Sequence, residues 1–159
     1  MYTWDGASLK ETATFDKNRS AVTAVAFSPD GKWLAAGESS GKIVLFTDEG
    51  SGFQVRDPSI PPTASLTSFQ PKPALFQSRF QSHSARINAL RFHPSNEWLV
   101  SGSLDTHVYV WNVVNPGQKR AIQIPNAGVG GVNVVEWVGG TTVLSAGADA
   151  NLRTWELAL

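Results

Sequence analysis

Three side chains in one segment, His83, Ser101 and Asp105, are the residue types of a serine hydrolase triad. A catalytic serine needs an adjacent base, an acid that orients the base, and an oxyanion hole. Ser101 is predicted to lie in the middle of a strand over 99–102, and not on a G-x-S-x-G elbow. The alternative is a buried hydrogen-bond relay that ends at the indole N–H of Trp111. Because an unpaired buried polar group costs about 1–3 kcal/mol, the pattern favours this structural relay over catalysis.

The segment 83–111 that holds these residues has two weaker copies, one upstream at 22–46 and one downstream at 132–155. Three apolar or aromatic positions correspond in all copies: Ile87 with Val22 and Val132, Phe92 with Phe27 and Trp137, and Trp111 with Phe46 and Trp155. A repeat of this length buries its apolar face only against a neighbouring copy. The sequence therefore predicts stacked, similar units.

Each copy consists of short β-branched and aromatic runs with period-two alternation, separated by turn residues. In the central copy the alternation predicts one side formed by Ile87, Ala89 and Arg91, and an opposite side formed by Asn88, Leu90 and Phe92. A fourth strand is predicted before each copy, at about 9–15, 75–80 and 120–124. Four strands per unit are typical of β-propeller blades. We therefore predict an all-β fold, a partial β-propeller of about three four-stranded antiparallel blades.

The spacing between copies is unequal, since Phe27 and Phe92 are 65 residues apart whereas Phe92 and Trp137 are 45 apart. The extra length falls within 48–74, a segment rich in Pro, Ser and Thr. Proline cannot donate to a strand ladder, so we predict a surface insertion here without paired strands.

Composition excludes several classes of function. Lys plus Arg and Asp plus Glu are both 13, so the net charge of zero gives no general attraction to nucleic acid or anionic membranes. The absence of cysteine rules out disulfides and thiolate metal sites. The first residues lack the features of a signal peptide, and no apolar stretch approaches the roughly 18 residues of a membrane span. We therefore expect a cytoplasmic protein.

Two further patterns in the sequence could indicate a ligand site, a glycine-rich segment and a set of three histidines. The segment Gly128-Val129-Gly130-Gly131 is glycine-rich like a phosphate loop, but a predicted strand follows it rather than a helix N-terminus. The three histidines, His83, His93 and His107, lack the close spacing of zinc ligands. The sequence therefore predicts no metal and no cofactor.

The order His, aromatic, Ser-Gly, Asp and Trp in 83–111 resembles the WD repeat, a family whose fold is a β-propeller with four-stranded blades. The resemblance implies that the relay residues brace each blade. The central unit has the full set, His83, Ser101, Asp105 and Trp111. The third unit keeps Ser145, Asp149 and Trp155 but has Gly128 where the histidine belongs. The first unit has Asn18, Ala36, Ser40 and Phe46 at these positions.

The same resemblance divides the chain into repeats. Residues 1–15 form the end of a preceding repeat and an outer strand, 16–47 the first WD repeat, 75–113 the second and 114–159 the third, with the insertion at 48–74. The strings SGSLDTHVYVWNV, GGVNVVEW and LSAGADANLRTWEL are similar to the C-terminal propeller of the actin-interacting protein 1 family. This similarity implies a fragment with roughly three blades of a second propeller.

The resemblance also implies a function. We expect a non-catalytic protein-interaction module with actin and cofilin as partners, which acts in actin filament disassembly at the cytoplasmic actin cytoskeleton. Partners of WD-repeat proteins often dock beside the loop before the first strand and the turn before the third strand. Those positions correspond to five residues here, Arg86, Leu104, Thr106, Gly130 and Ala148. Arg86 is the strongest candidate, because arginine is favoured at interface hot spots.

Two other functions stay open at this point. One is a WD-repeat scaffold or adaptor unrelated to actin, which docks through 48–74. The other is a serine hydrolase that uses Ser101. In an isolated chain, the open blade edges also predict a homodimer that pairs through terminal strands, including 152–156.

Overall fold

The computed structural model describes residues 2–4, 11–14, 18–48, 53–55, 80, 82–114 and 121–159. All regular structure in these ranges is antiparallel β-sheet. The strands are β1 Tyr2–Trp4, β2 Glu11–Thr14, β3 Val22–Phe27, β4 Trp33–Glu38, β5 Ile43–Asp48, β6 Phe53–Val55, β7 Ile87–Phe92, β8 Trp98–Ser103, β9 Val108–Asn112, β10 Ile122–Ile124, β11 Val132–Val138, β12 Thr142–Gly147 and β13 Leu152–Glu156.

The strands form three consecutive meanders and one small sheet. We call β3-β4-β5-β6 blade 1, β7-β8-β9-β10 blade 2 and β11-β12-β13 blade 3, and a two-stranded sheet, β1-β2, precedes them. The first strands of successive blades are in contact: β3 contacts β7, and β7 contacts β11. The blades therefore stack side by side along a common inner edge. This arrangement confirms the predicted all-β partial propeller, with two four-stranded blades and a three-stranded third blade in the described residues.

The turn after the first strand shows why the chain reverses at these positions. In blade 1 the Gly31 N–H donates to the Ser28 carbonyl at 2.9 Å, and Gly31 has a φ of 71°. Blade 2 has Asn96 at this point, with a φ of 64°, and blade 3 has Gly139, with a φ of 75°. Glycine and asparagine are the residues that tolerate this left-handed conformation.

A β-bulge interrupts the first strand of each blade. In β7 the pairing register shifts between Ile87 and Ala89. Ile87 therefore packs with Leu90 toward blade 1, whereas Ala89 packs toward blade 3 and the Asn88 amide also reaches blade 3. The predicted sides of Ile87 and Asn88 are wrong, because the extra residue of a bulge reverses the alternation that strict period two assumes. The same shift occurs in β3 and β11.

The outer strands belong to the sheet before them in the chain. β10 lies inside the predicted range 120–124 and pairs with β9 of blade 2, and β2 pairs with β1. The outer strand of blade 1 is β6, which pairs with β5. The prediction that 48–74 holds no paired strand is therefore wrong. The stretch 53–55 precedes the first proline of that segment, so it keeps its N–H donors.

Other predictions for this region lie outside the described residues. They concern the proline-rich stretch 58–73 and the strand at 75–80, of which only the buried Phe80 is described.

Two of the three core clusters lie between blades, and the third, with Leu34, Ala36, Val44 and Phe46, lies within blade 1. One cluster joins blades 1 and 2 through residues that include Trp33, Leu45, Leu90, Phe92 and Trp111. A second joins blades 2 and 3 through residues that include Val100, Val110, Val135, Trp137 and Val143. Glycines permit this close stacking: a Cβ on Gly102 would lie 2.6 Å from Cγ1 of Val132. The blades therefore stabilise one another, as the repeat pattern predicts.

Candidate functional site

The four relay residues of blade 2 form one continuous chain of hydrogen bonds. Nδ1 of His83, in the segment before β7, lies 2.9 Å from Oδ2 of Asp105, in the turn after β8. Nε2 of His83 lies 2.8 Å from Oγ of Ser101 in the middle of β8. The indole N–H of Trp111 in β9 donates to the same Oγ at 2.8 Å. Two strands, a turn and the entry loop are thus linked inside one blade.

Burial and hydrogen bonding shift the pKa values of both ionisable groups in this relay. Burial lowers the pKa of His83 despite the opposing attraction of Asp105, so the imidazole is neutral at pH 7. Its Nδ1–H then donates to Asp105, and its Nε2 accepts the proton of Ser101. Burial alone would raise the pKa of Asp105, but attraction to His83 and the backbone N–H groups of Ser84 and His107 lower it. Each polar group therefore meets a complementary partner.

These distances are those of a hydrolase triad, but the surroundings do not suit hydrolysis. Ser101 is 0% exposed, so a substrate carbonyl has no access to its hydroxyl. The Oγ already accepts the indole N–H of Trp111, and the Tyr109 ring packs edge-on against His83 at a centroid distance of 4.7 Å. A nucleophile must face its substrate and an oxyanion hole. The geometry supports the structural hypothesis rather than the catalytic one.

Blade 3 has a shorter relay in which a backbone carbonyl occupies the place of the histidine. The indole N–H of Trp155 donates to Oγ of Ser145 at 2.9 Å, and this hydroxyl donates to the carbonyl of Ala127 at 3.0 Å. Asp149 accepts instead from the Arg153 guanidinium, and this hydrogen bond lowers the pKa of Asp149. The structure therefore brings Ser145 and Trp155 together and leaves Asp149 outside their chain.

Blade 1 lacks the relay altogether. Ala36 and Phe46 have no side-chain hydroxyl or N–H at the positions of the serine and the tryptophan. Asn18 stands at the histidine position, and its buried Oδ1 and Nδ2 make no hydrogen bond among the described residues.

A buried carboxylate links the same elements of blade 1 in a different way. Glu38, at the end of β4, accepts from the backbone N–H of Arg19 at 3.1 Å and from Oγ of Ser40 at 2.8 Å. Ser40 occupies the position of Asp105 in blade 2, so the loop and the turn are still joined. Glu38 was not predicted from the sequence, although an acidic residue at the end of the apolar strand WLAAGE is a visible signal.

The candidate partner-binding residues of blade 2 lie together at one end of the seam between blades 2 and 3. The Leu104 N–H donates to the Arg86 carbonyl at 3.0 Å, which places the two residues side by side. Thr106, with a φ of 72°, accepts the N–H of Ala127 at 2.8 Å through its carbonyl. The turn that carries Leu104 and Thr106 is thereby attached to the segment that enters blade 3.

The blade 3 candidates complete the same surface. A Cβ on Gly130 would lie 3.1 Å from Cβ of Ala148, and a Cβ on the neighbouring Gly131 would lie 2.9 Å from Cδ1 of Leu104. All five predicted residues therefore belong to one continuous surface. Val129 precedes Gly130 in the chain and is 66% exposed, and Leu104 is 47% exposed. Val129 was predicted from the sequence only as part of a glycine loop, although a bulky apolar residue between glycines is itself a signal.

We call this set the seam surface; it comprises Arg86, Leu104, Thr106, Val129, Gly130 and Ala148. It contains two exposed aliphatic side chains, Leu104 and Val129, and the exposed Arg86. No group of three His, Asp or Glu side chains suited to a metal ion occurs in the part of the chain that the structure describes. The described ranges also contain no helix of the length and apolarity that a membrane span requires.

Comparison with known proteins agrees with this architecture. The family model of the WD domain, G-beta repeat, matches residues 9–47 and 75–112. The 66 kDa stress protein of Physarum polycephalum is 33% identical over 99% of this chain and 22% of its own length. Actin-interacting protein 1 of Drosophila melanogaster is 31% identical to this chain, and an uncharacterised WD-repeat-containing protein of Schizosaccharomyces pombe is 30% identical. Each of these similarities also extends over 99% of this chain and 22% of the relative.

This chain spans about a fifth of the length of these curated relatives, 22% of each. The similarity nevertheless extends over nearly all of its own residues. The matched repeats cover the first three strands of blade 1 and of blade 2, and the unmatched third unit has the same meander of strands. The family match shows WD repeats of the G-beta type at 9–47 and 75–112, and the stacked antiparallel blades agree with it.

Proposed function

We propose that this chain is a protein-interaction module of an actin regulator, with actin filaments and cofilin as its partners. The observation that carries the proposal is the similarity to proteins named Actin-interacting protein 1, which are 31% identical in Drosophila melanogaster and 30% identical in Caenorhabditis elegans over 99% of this chain. The proposed place of action is the cytoplasmic actin cytoskeleton, and the proposed activity is assistance in filament disassembly.

The seam surface is the proposed contact for these partners. Arg86 is exposed, and its Nε–H donates to Oδ1 of Asn88 at 3.0 Å, which holds the guanidinium in place. A guanidinium that is already oriented loses less conformational freedom on binding. Leu104 and Val129 add exposed apolar area to the same seam surface. An acidic and apolar segment of a partner protein fits this combination.

The relay supports a non-catalytic role for the chain. Ser101 and His83 are buried and fully engaged with each other and with Trp111. Their contribution is to hold the turn that carries Leu104 in a fixed position relative to Arg86. A rigid surface of this kind favours binding, because few groups need to be ordered when the partner arrives.

Co-sedimentation of the chain with actin filaments, with and without cofilin, tests the proposal. Arg86→Ala is expected to weaken binding about tenfold or more, since arginine hot spots are worth about 2 kcal/mol or more. Arg91→Ala is the matched control, because Arg91 is an exposed arginine on the inner strand β7 that pairs with Glu136 away from the seam surface. Equal binding by the wild type and the Arg86→Ala chain would show that the residue assignment is wrong.

A second candidate function is a WD-repeat scaffold that does not bind actin. The Schizosaccharomyces pombe relative supports it, because its name identifies WD repeats without any mention of actin. Absence of co-sedimentation under all conditions, together with capture of another protein that is lost when 58–73 is deleted, would favour this function. Retention of actin binding after the deletion would instead favour the seam surface.

A further inference from the structure

The guanidinium of Arg86 is held from the neighbouring blade through the side chain of Asn88. We propose that Arg86 binds one carboxylate of a partner protein end-on, through Nη1 and Nη2, and that Asn88 is the positioning residue that sets this geometry. The inference rests on the proposed function, because it names the group that the seam surface recognises. It adds a chemical class of ligand and a residue that lies outside the seam surface.

Asn88 reaches blade 3 because it lies at the β-bulge of β7. The pairing register with β8 shifts between Ile87 and Ala89, and Asn88 is the residue between them. Its Nδ2 donates to the carbonyl of Val132 in β11 at 2.9 Å and to Oδ1 of Asn133 at 3.2 Å. The side chain of Asn88 is therefore held by the inner strand of the next blade.

These contacts determine which end of the Asn88 amide faces Arg86. A backbone carbonyl can only accept a hydrogen bond, so the group that meets the Val132 carbonyl must be the amide nitrogen. The amide oxygen then accepts the Nε–H of Arg86 at 3.0 Å. A flipped amide would bring two acceptors together at Val132 and two donors together at Arg86. Blade 3 therefore sets the orientation of Asn88, and Asn88 in turn sets that of Arg86.

The contact with Asn88 leaves one edge of the guanidinium for a ligand. Guanidinium donors form a planar fork that matches the two oxygens of a carboxylate. A side-on pairing would need the Nε–H, which already donates to Asn88. The end-on pairing uses Nη1 and Nη2, and neither of these donates to any residue that the structure describes. The geometry thus favours a carboxylate that approaches along the axis of the side chain.

The charge of Arg86 is not neutralised within the described ranges. Arg91 in the same strand pairs with Glu136 at 3.0 Å, and Arg153 pairs with Asp149. Arg86 is exposed, and no described carboxylate lies within ion-pair distance of it. Its guanidinium can therefore bind a carboxylate without first breaking an ion pair of its own.

Exposed apolar side chains on the same seam surface narrow the kind of ligand. Leu104 is 47% exposed and Val129 is 66% exposed. A free carboxylate ion would leave them in water, whereas an acidic side chain within a protein segment brings apolar neighbours that can cover them. We therefore assign the ligand to an Asp or Glu side chain of the partner. A C-terminal carboxylate has the same chemistry, and cross-linking distinguishes the two sources.

The Nε–H signal of Arg86 in proton–nitrogen NMR tests the positioning role without any partner protein. In the 159-residue chain this proton should exchange with water about two- to tenfold more slowly than in the Asn88→Ala chain, the factor of an ordinary hydrogen bond. Thr23→Ala is the matched control. The Thr23 hydroxyl donates across the other blade interface to the Ile87 carbonyl, and Ala21 stands there in place of an arginine. Equal exchange in the wild-type and Asn88→Ala chains would overturn the positioning role.

Titration with sodium acetate tests the carboxylate as a ligand class. Acetate should shift the Arg86 Nε–H signal more than sodium chloride does at the same ionic strength. The signal of Arg91, which already pairs with Glu136, should respond less. Equal shifts of the Arg86 signal by acetate and chloride would overturn the carboxylate assignment, whether or not the chain binds actin.

Zero-length cross-linking identifies the source of the carboxylate. Arg86→Lys places a primary amine on the seam surface, and a carbodiimide couples amines to carboxylates in contact with them. With actin filaments and cofilin present at saturating concentration, peptide mass spectrometry should show residue 86 coupled to an Asp or Glu side chain. Coupling to a C-terminal carboxylate would contradict the side-chain assignment. Arg91→Lys is the control, and it should couple to Glu136 of the same chain.

Co-sedimentation with actin filaments and cofilin separates this inference from the proposed function. Asn88→Ala keeps every charge of the chain and should weaken binding about two- to tenfold, because Arg86 must then be ordered when the partner binds. Thr23→Ala should bind like the wild type. Wild-type binding that Asn88→Ala leaves unchanged would contradict the positioning role. Absence of binding by every chain would contradict the proposed function alone, and the two NMR measurements would then decide the carboxylate site.

Discussion

Replacing Ser101 with alanine tests the relay at its central atom. Oγ of Ser101 accepts the indole N–H of Trp111 and donates to Nε2 of His83, both at 2.8 Å. The substitution removes both hydrogen bonds and leaves the strand backbone unchanged. The side chain of His83 is 0% exposed and Trp111 is 2% exposed, so water has no route to replace the missing hydroxyl.

The expected cost follows from the two groups that lose their partner. A buried polar group without a hydrogen bond costs about 1–3 kcal/mol, so for two such groups we expect Ser101→Ala to lower the free energy of unfolding by about 2–6 kcal/mol. Ser145→Ala is the matched control at the same position of blade 3. There the hydroxyl serves Trp155, which is only half-buried, and a backbone carbonyl. We expect about 1–2 kcal/mol for this control, because water reaches part of the site.

Urea unfolding followed by tryptophan fluorescence and circular dichroism measures both costs. Coincident transitions from the two probes would establish two-state behaviour and allow linear extrapolation to water. A loss of less than about 0.5 kcal/mol for Ser101→Ala would be the size of an ordinary surface change and would refute the relay argument. A larger loss for Ser145→Ala than for Ser101→Ala would refute the role assigned to His83.

Two further predictions concern pH and packing. Burial lowers the pKa of His83 below its unfolded value of 6.5, so the unfolded chain takes up the proton first as the pH falls. The free energy of unfolding should therefore decrease as the pH falls below about 6.5, and urea titrations of His83→Gln should show a smaller decrease over this range. Gly102→Ala should destabilise the chain by about 1–3 kcal/mol, because its Cβ would meet Val132 at 2.6 Å. Gly140→Ala, with no atom within 4 Å of the new Cβ, should leave the melting temperature unchanged, and equal shifts for both glycines would contradict the packing argument.

The repeat pattern made most of the fold predictable. The correspondence of Ile87, Phe92 and Trp111 with their counterparts indicates stacked units, and the turn residues mark where each strand ends. The relay of blade 2 was also predictable as a set, because His83, Ser101 and Asp105 differ from the apolar residues around them. These features depend on residue types and on their spacing along the chain, and both can be read directly from the sequence.

The predictions from residue types were wrong or incomplete where the backbone departs from regular geometry. The bulge in β7 moves Ile87 to the same side of the sheet as Leu90, and no residue type in that strand predicts the bulge. Phe53–Val55 joins blade 1 although prolines dominate the segment that follows it. In blade 3 the carbonyl of Ala127 replaces a histidine, and a backbone atom has no sequence signature.

The sequence by itself determined the repeat, most of the strands and turns, and the identity of the relay residues of blade 2, because these depend on neighbours along the chain. Only the tertiary structure decided which atoms close each relay and how the blades approach one another. It also united Arg86 and Leu104 with Val129 and Gly130 in one seam surface. Residues from different blades meet only when the sheets stack. The distance between two blades depends on the volume of the packed side chains and on hydrogen bonds to backbone carbonyls, and neither can be read from the order of residues.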